Sequence, residues 1–264
     1  MAQYDSLASS YDILDRLPYR AMEVHNVRLA MEPLLRPNMA VLELACGTGF
    51  YSSRLLDWGV DSLTAMDISP AMLAAAAARV PAHVQAGRAR FVEGDGTKPQ
   101  SFAPDGSPGC FDLAVGAWFL NYAHCKSELV SMFQSISLNL TSDGLFVGVV
   151  PHPTNHLGPR AAAHGKEPLN KMWPRNEYTE ELESGDGWWL RVFLNDEGVD
   201  FRTCHMKRQV YEEAARLGGM KGKLEWRHEM LLGDEWARGY NLTRHEWEVR
   251  EANPHLGILV VWKA

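Results

Sequence analysis

Residues 41–50 read VLELACGTGF: a short apolar run, an acidic residue at 43, and two glycines separated by one residue. Val41–Ala45 has the composition of a buried strand and Phe50–Asp57 that of a helix, so the glycines lie in the turn between them. Glycine at such a turn lets backbone approach a ligand without a Cβ in the way. A phosphate loop needs G-x-x-x-x-G-K-[ST], and no Gly-Lys follows here. A dinucleotide fingerprint needs a third glycine three residues after the second, and that place holds Ser52. Taken alone, Gly47 and Gly49 also suit a plain tight turn.

The pattern continues outward as strand and helix in alternation. Ser62–Met66, Arg90–Val92, Phe111–Ala117 and Gly144–Val150 read as further strands. A helix follows Pro70 through AMLAAAAARV, and another spans Lys126–Leu140. Before residue 41, apolar spacing from Tyr11 to Leu35 predicts helix, divided at Pro18. Alternating strands and helices predict an α/β fold with a parallel sheet wrapped on both faces. After Val150 five prolines, at 151, 153, 159, 168 and 174, interrupt any period, and residues 151 to about 186 read as irregular. WWLRVFLN and FRTCHMKR then read as strands joined at Asp196–Gly198, followed by a helix over Gln209–Leu217 and a last strand, GILVVWK.

A nucleoside without phosphate remains as the ligand over the glycines. S-adenosylmethionine suits the place, since it presents an ammonium, a carboxylate and a sulfonium where a dinucleotide presents pyrophosphate. Glu43 puts negative charge near the cationic end. Asp67 ends the second strand, where a carboxylate can take both ribose hydroxyls. Asp95 follows the third, where it can accept from an adenine amino group. Asp67 has a competing role as cap of the helix at Pro70.

VLELACGTG, MDISPAML, EGDG and FDLAVGAWFLNYA together resemble, in order and spacing, the successive motifs of class I S-adenosylmethionine-dependent methyltransferases over residues 1 to about 150. The likeness is greatest to small-molecule enzymes of the ubiquinone- and toxoflavin-biosynthesis types. It implies a doubly wound, mostly parallel, seven-stranded Rossmann-like sheet with a cap inserted after strand five. Residues 1–150 and 205–264 would form the cofactor-binding domain and 151–204 the cap. Glu43, Gly47 and Gly49 would hold the methionine portion, Asp67 and Ile68 the ribose and adenine face, and Asp95 and Gly96 the adenine edge. Trp118 and Phe119 would lie beneath the sulfonium. Ala45, Met72 and Tyr11 join the cofactor-binding set. Tyr4 and Arg20 come from the N-terminal helices, Arg20 as partner of the methionine carboxylate or as a solvated helix-face residue. S-adenosylhomocysteine is the implied product.

The remaining chemistry is alignment, water exclusion and proton removal. His124, after strand four, and His152 and His156, after strand five, are candidate bases; His152 is the first choice, and Tyr122 completes the catalytic set. No metal is expected. The acceptor is expected to be a small molecule, methylated on O or N, with secondary metabolism as the setting. Nucleic acid is disfavoured by the net charge of −7 and by AWFLNYA where nucleic-acid amino-methyltransferases carry [DN]-P-P-[FYW]. Trp173, Tyr178, Trp188, Trp189 and Phe193 in the cap suit a flat or apolar acceptor, or pack the cap itself. A non-methylating cyclase and a non-catalytic cofactor-binding subunit are the alternatives. The four cysteines show no C-x-x-C spacing, and neither a signal peptide nor a membrane-spanning run is evident, so a cytoplasmic monomer or homodimer with free thiols is expected.

Overall fold

The structure, a computed structural model, describes residues 15, 17–194, 199–231, 238 and 241–264. Its first helix, α1 (Pro18–Met31), starts with proline at its first position, where the ring's fixed φ and missing N–H cost nothing. The helix expected before Pro18 falls outside the described residues. Then come β1 (Ala40–Leu44), α2 (Phe50–Asp57), β2 (Ser62–Asp67), α3 (Pro70–Arg79), the short α4 (Pro81–Gln85), β3 (Ala89–Glu93), β4 (Phe111–Ala117), α5 (Lys126–Asn139) and β5 (Leu140–Pro151).

These strands and two later ones, β9 (Leu224–His228) and β10 (Leu256–Trp262), form one seven-stranded sheet in the order β3-β2-β1-β4-β5-β10-β9. All neighbouring pairs from β3 to β5 are parallel, whereas β10 runs antiparallel to both β5 and β9. Alternate side chains serve opposite faces. Leu42 and Leu44 of β1 pack with Leu129, Phe133 and Ile136 of α5 and with Tyr211 of α7 (Arg208–Leu217). Val41 packs on the other face with Met22 and Val27 of α1 and Leu55 of α2. The expected doubly wound sheet is therefore present, and β1 is buried on both sides because both faces carry helices.

The segment after β5 is more regular than its prolines suggest. α6 (Leu157–His164) accepts Pro159 in its first turn, where no intrahelical N–H is needed. β6 (Arg175–Glu181), β7 (Gly187–Phe193) and β8 (Asp200–Met206) make a separate antiparallel sheet in that order. β7 and β8 are the two expected strands; the expected connection at Asp196–Gly198 lies outside the described residues. β6, β9 and α8 (Arg244–Ala252) were not foreseen from the sequence. α8 is fixed by a capping box between Thr243 and Glu246. Among the described residues, no helix is long and apolar enough to cross a membrane.

Candidate active site

The carboxyl ends of β1 to β4 open into a cavity of about 330 Å³, within the range of small-molecule sites. The turn after β1 supplies Ala45 and Gly47, and α2 supplies Phe50 and Tyr51. Asp67 and Ile68 come from the end of β2, Met72 from α3, Asp95 and Gly96 from beyond β3, and Trp118, Phe119 and Tyr122 from beyond β4. Twelve residues named from the sequence thus converge: Arg20, Glu43, Ala45, Gly47, Asp67 and Ile68, then Met72, Asp95, Gly96, Trp118, Phe119 and Tyr122. Cys46, Thr48 and Thr97 also line it and were not foreseen. They are neighbours of motif residues, so their presence follows from the loops' course.

Gly47 and Gly49 are not equivalent. Both have positive φ, 54° and 78°. A Cβ on Gly47 would meet nothing within 4 Å, and Gly47 lines the cavity, so the space beside it opens into the cavity. A Cβ on Gly49 would lie 2.9 Å from Ala76 Cα. Gly49 is therefore required for α2 to pack on α3 and does not line the cavity, contrary to the expectation of backbone–ligand approach at both glycines. Ala45 and Trp118 also have positive φ, 54° and 61°, which non-glycine residues adopt at a cost. Both line the cavity.

Asp67 organises the β1 turn. Its carboxylate accepts from Gly47 N–H and from Ser69 N–H, each at 2.9 Å. Ser69, not Asp67, caps α3, accepting from Met72 N–H. Glu43 is buried and accepts from Ser52 Oγ at 2.5 Å. Burial pushes its carboxyl up to about 8, with Asp67 adding to the rise against the Ser52 hydrogen bond. Burial also acts to raise Asp95, but hydrogen bonds from Thr97 and Lys98 prevail and hold it below the usual carboxylate range. Ile68, 54% exposed, leaves apolar surface at the rim.

A second cavity adjoins the first and shares Arg20, Trp118 and Tyr122 with it. It is small, about 60 Å³, and lies between the main sheet and the β6–β8 sheet. Its floor includes Tyr19, Glu23, Asn121 and His255; its roof is Asn176, Leu190, Val192, Phe201 and Thr203. Leu190 and Val192 point inward because they alternate with Trp189 and Arg191 along β7.

Glu23, unforeseen from the sequence, sits where the cavities meet. It is fully buried and accepts from Arg20 Nη1 (2.6 Å), Tyr51 Oη (2.7 Å) and Trp118 Nε1 (2.9 Å). Arg20 also pairs with Asp15 at 3.4 Å and stacks 4.1 Å over the Phe50 ring, so it is buried and paired within the protein, not solvated on a helix face. His255, buried in the second cavity, is held well below its ordinary pKa by burial first, then by Arg250, His164 and Arg160.

The histidines named from the sequence stand elsewhere. His152 lines neither cavity; burial, Arg160 and His228 lower it to about 4, and its backbone N–H donates to His255. His124 is exposed, stacks on Trp189 at 4.8 Å and belongs to neither cavity. His156 is exposed. The cap aromatics are also displaced from the cavity: Trp189 lies under Arg202, Phe193 between Arg175 and Arg191, and Tyr178 bonds Arg160 and His205. Trp173 and Trp188 line neither cavity. Trp189 and Phe193 alternate with Leu190 and Val192 along β7 and so face away from the apolar roof. Tyr4 and Tyr11 lie outside the described residues.

A family model described as a methyltransferase domain matches residues 41–144. No curated protein matches the chain in sequence. Among solved structures, an S-adenosylmethionine-dependent methyltransferase from Clostridium acetobutylicum is similar with a TM-score of 0.57 at 16% identity, covering 98% of each chain. One from Mesorhizobium loti has a TM-score of 0.56 at 17% identity, covering 94% of this chain and 99% of its own. The 1,6-didemethyltoxoflavin N1-methyltransferase of Burkholderia thailandensis, solved with 1,6-didemethyltoxoflavin and S-adenosylhomocysteine, has a TM-score of 0.54 at 15% identity, covering 92% of this chain and 78% of its own. Residues 41–144 thus match the methyltransferase-domain model, and the chain as a whole has the fold of these S-adenosylmethionine-dependent methyltransferases.

Proposed function

We propose that the chain transfers a methyl group from S-adenosylmethionine to an O or N atom of a small molecule of secondary metabolism. The observation that carries this reading is the pair of adjoining cavities that share Arg20, Trp118 and Tyr122. The larger suits the cofactor, and the smaller admits a small acceptor or the reacting end of one. The fit of the cofactor rests on the open space beside Gly47, the buried Glu43 and the Asp67 carboxylate at the end of β2.

Glu43 and Gly47 would face the methionine portion, Asp67 and Ile68 the ribose and one adenine face, and Asp95 and Gly96 the adenine edge. Trp118 and Phe119 would flank the junction, with Tyr122 beside the acceptor. When bound, S-adenosylmethionine supplies an electrophilic methyl group and leaves as S-adenosylhomocysteine. The protein's share is to align the acceptor, exclude water and receive any proton the acceptor loses. Leu190, Val192 and Phe201 exclude water, and Glu23 is the carboxylate among the residues of the acceptor cavity.

Mass analysis of products tests this reading. An acceptor that gains one methylene unit, with S-adenosylhomocysteine formed in equal amount, is the expected result. An isomerised product of unchanged mass would replace it with cyclisation.

A further inference from the structure

Asn121 is 2% exposed and lines the acceptor cavity. Its side-chain amide is oriented by one neighbour. Thr203 Oγ1 donates its single proton to the Asn121 backbone carbonyl, 2.7 Å away. The hydroxyl can then only accept from the Asn121 side chain, so Nδ2 must face Thr203, as observed. Oδ1 is left buried without a hydrogen-bond partner among the described residues. A buried orphan acceptor costs free energy unless a ligand supplies a donor.

The same cavity holds the Glu23 carboxylate, already supplied with donors by Arg20, Tyr51 and Trp118. Arg20, the cation beside it, is engaged with Glu23 and Asp15. Tyr122 and Asn176 can present either polarity and do not decide the matter. Among the described residues lining this cavity, Asn121 Oδ1 is the buried side-chain acceptor left asking for a donor.

Building on the proposed function, we infer that the acceptor is a small molecule bearing N–H or O–H donors, and that Asn121 Oδ1, held in place by Thr203, selects for them. Thr203 is a positioning residue: its hydroxyl sets which end of the amide meets the acceptor. Without it the amide is free to turn and present N–H, and the preference for donors disappears.

The test uses the full chain saturated with S-adenosylhomocysteine, whose binding is first measured by calorimetry. Flat heterocycles and phenols, each paired with its N-methyl or O-methyl twin, are then screened for binding by ligand-observed NMR. The wild-type chain should bind the N–H or O–H member of a pair about tenfold more tightly than its twin, the scale of one lost hydrogen bond. Asn121→Ala and Thr203→Val should abolish that preference, while Thr203→Ser should retain it, with S-adenosylhomocysteine affinity unchanged in all three. Equal binding of the twins, no binding of any donor-bearing member, or a preference that survives Asn121→Ala would overturn the inference. Failure of S-adenosylhomocysteine to bind the wild-type chain would instead bring down the cofactor reading beneath it.

Discussion

Trp118 Nε1 donates to Glu23 Oε2 across 2.9 Å, tying a residue that lines both cavities to a carboxylate on α1. Glu23 and Trp118 are 95 positions apart, and Trp118 holds a positive φ of 61° beside that bond. The strained backbone after β4 is thus anchored from the N-terminal helix, and the two cavities share one hydrogen-bonded wall.

Glu23→Gln tests that wall. Arg20, Tyr51 and Trp118 all point donors at the carboxylate, so an amide must turn its own N–H₂ toward one of them. Breaking a buried charge pair costs about 3–5 kcal/mol, here reduced because Arg20 keeps Asp15 as a partner. Thermal melting should fall by several degrees, and turnover should fall more than cofactor affinity. Unchanged melting and unchanged turnover would show that the carboxylate's charge is irrelevant.

The two glycines should separate stability from binding. Gly49→Ala puts a methyl 2.9 Å from Ala76 backbone, so melting should drop, by the equivalent of roughly 1–3 kcal/mol. Gly47→Ala meets no atom within 4 Å and costs only the left-handed backbone, about 1–2 kcal/mol, but intrudes on the cavity. Its main effect should be on S-adenosylhomocysteine affinity. Melting curves beside calorimetric titrations decide it; equal profiles for the two variants would refute the distinction.

The pH dependence follows from Glu43. Burial raises its carboxyl from 4.5 to about 8, so the folded chain keeps a proton that the unfolded chain releases. Its contribution to stability is therefore lost as pH rises from about 4.5 to 8, the reverse of an ion-paired acid. Glu43→Gln should melt close to wild type at pH 5 and above it at pH 8, in the absence of cofactor. A cationic ligand favours the ionised form. Binding of S-adenosylmethionine near pH 7 should accordingly release a proton, visible as a buffer-dependent calorimetric heat. Parallel melting of wild type and variant at both pH values would contradict the assignment.

Asp67→Ala removes the acceptor that holds Gly47 and Ser69 N–H. It should also remove charge-assisted bonds to the ribose, each about 1.5–3 kcal/mol before desolvation losses. Cofactor affinity should fall at least tenfold. Because Ser69 caps α3, the helix itself should persist. An unchanged dissociation constant would leave Asp67 as a turn residue alone.

Much of the sheet could be read from the sequence because β1 to β5 carry apolar runs between helices with a clear period. β6 and α8 could not, because RNEYTEE and RHEWEVREA are largely polar, and α8 buries a tryptophan and an arginine where a pattern of aliphatic residues would be sought. That arginine, Arg250, is fully buried against Glu229, which also accepts from His255 N–H. The larger cavity was legible since its residues follow successive strand ends. The smaller cavity draws on α1, the turn after β4, the end of β5, the second sheet and the residue before β10, and no local spacing reports such a meeting. His152 looked suitable because it follows β5 directly, yet its segment turns to pair with His255 and carries the ring away from both cavities.

The most direct test of the account is calorimetric titration of the wild-type chain with S-adenosylmethionine, S-adenosylhomocysteine and NAD in parallel. The account predicts saturable one-site binding of the first two and none of NAD, since the Gly47 turn lacks the third glycine that a pyrophosphate needs. Tight binding of NAD with no binding of either sulfur nucleoside would contradict it.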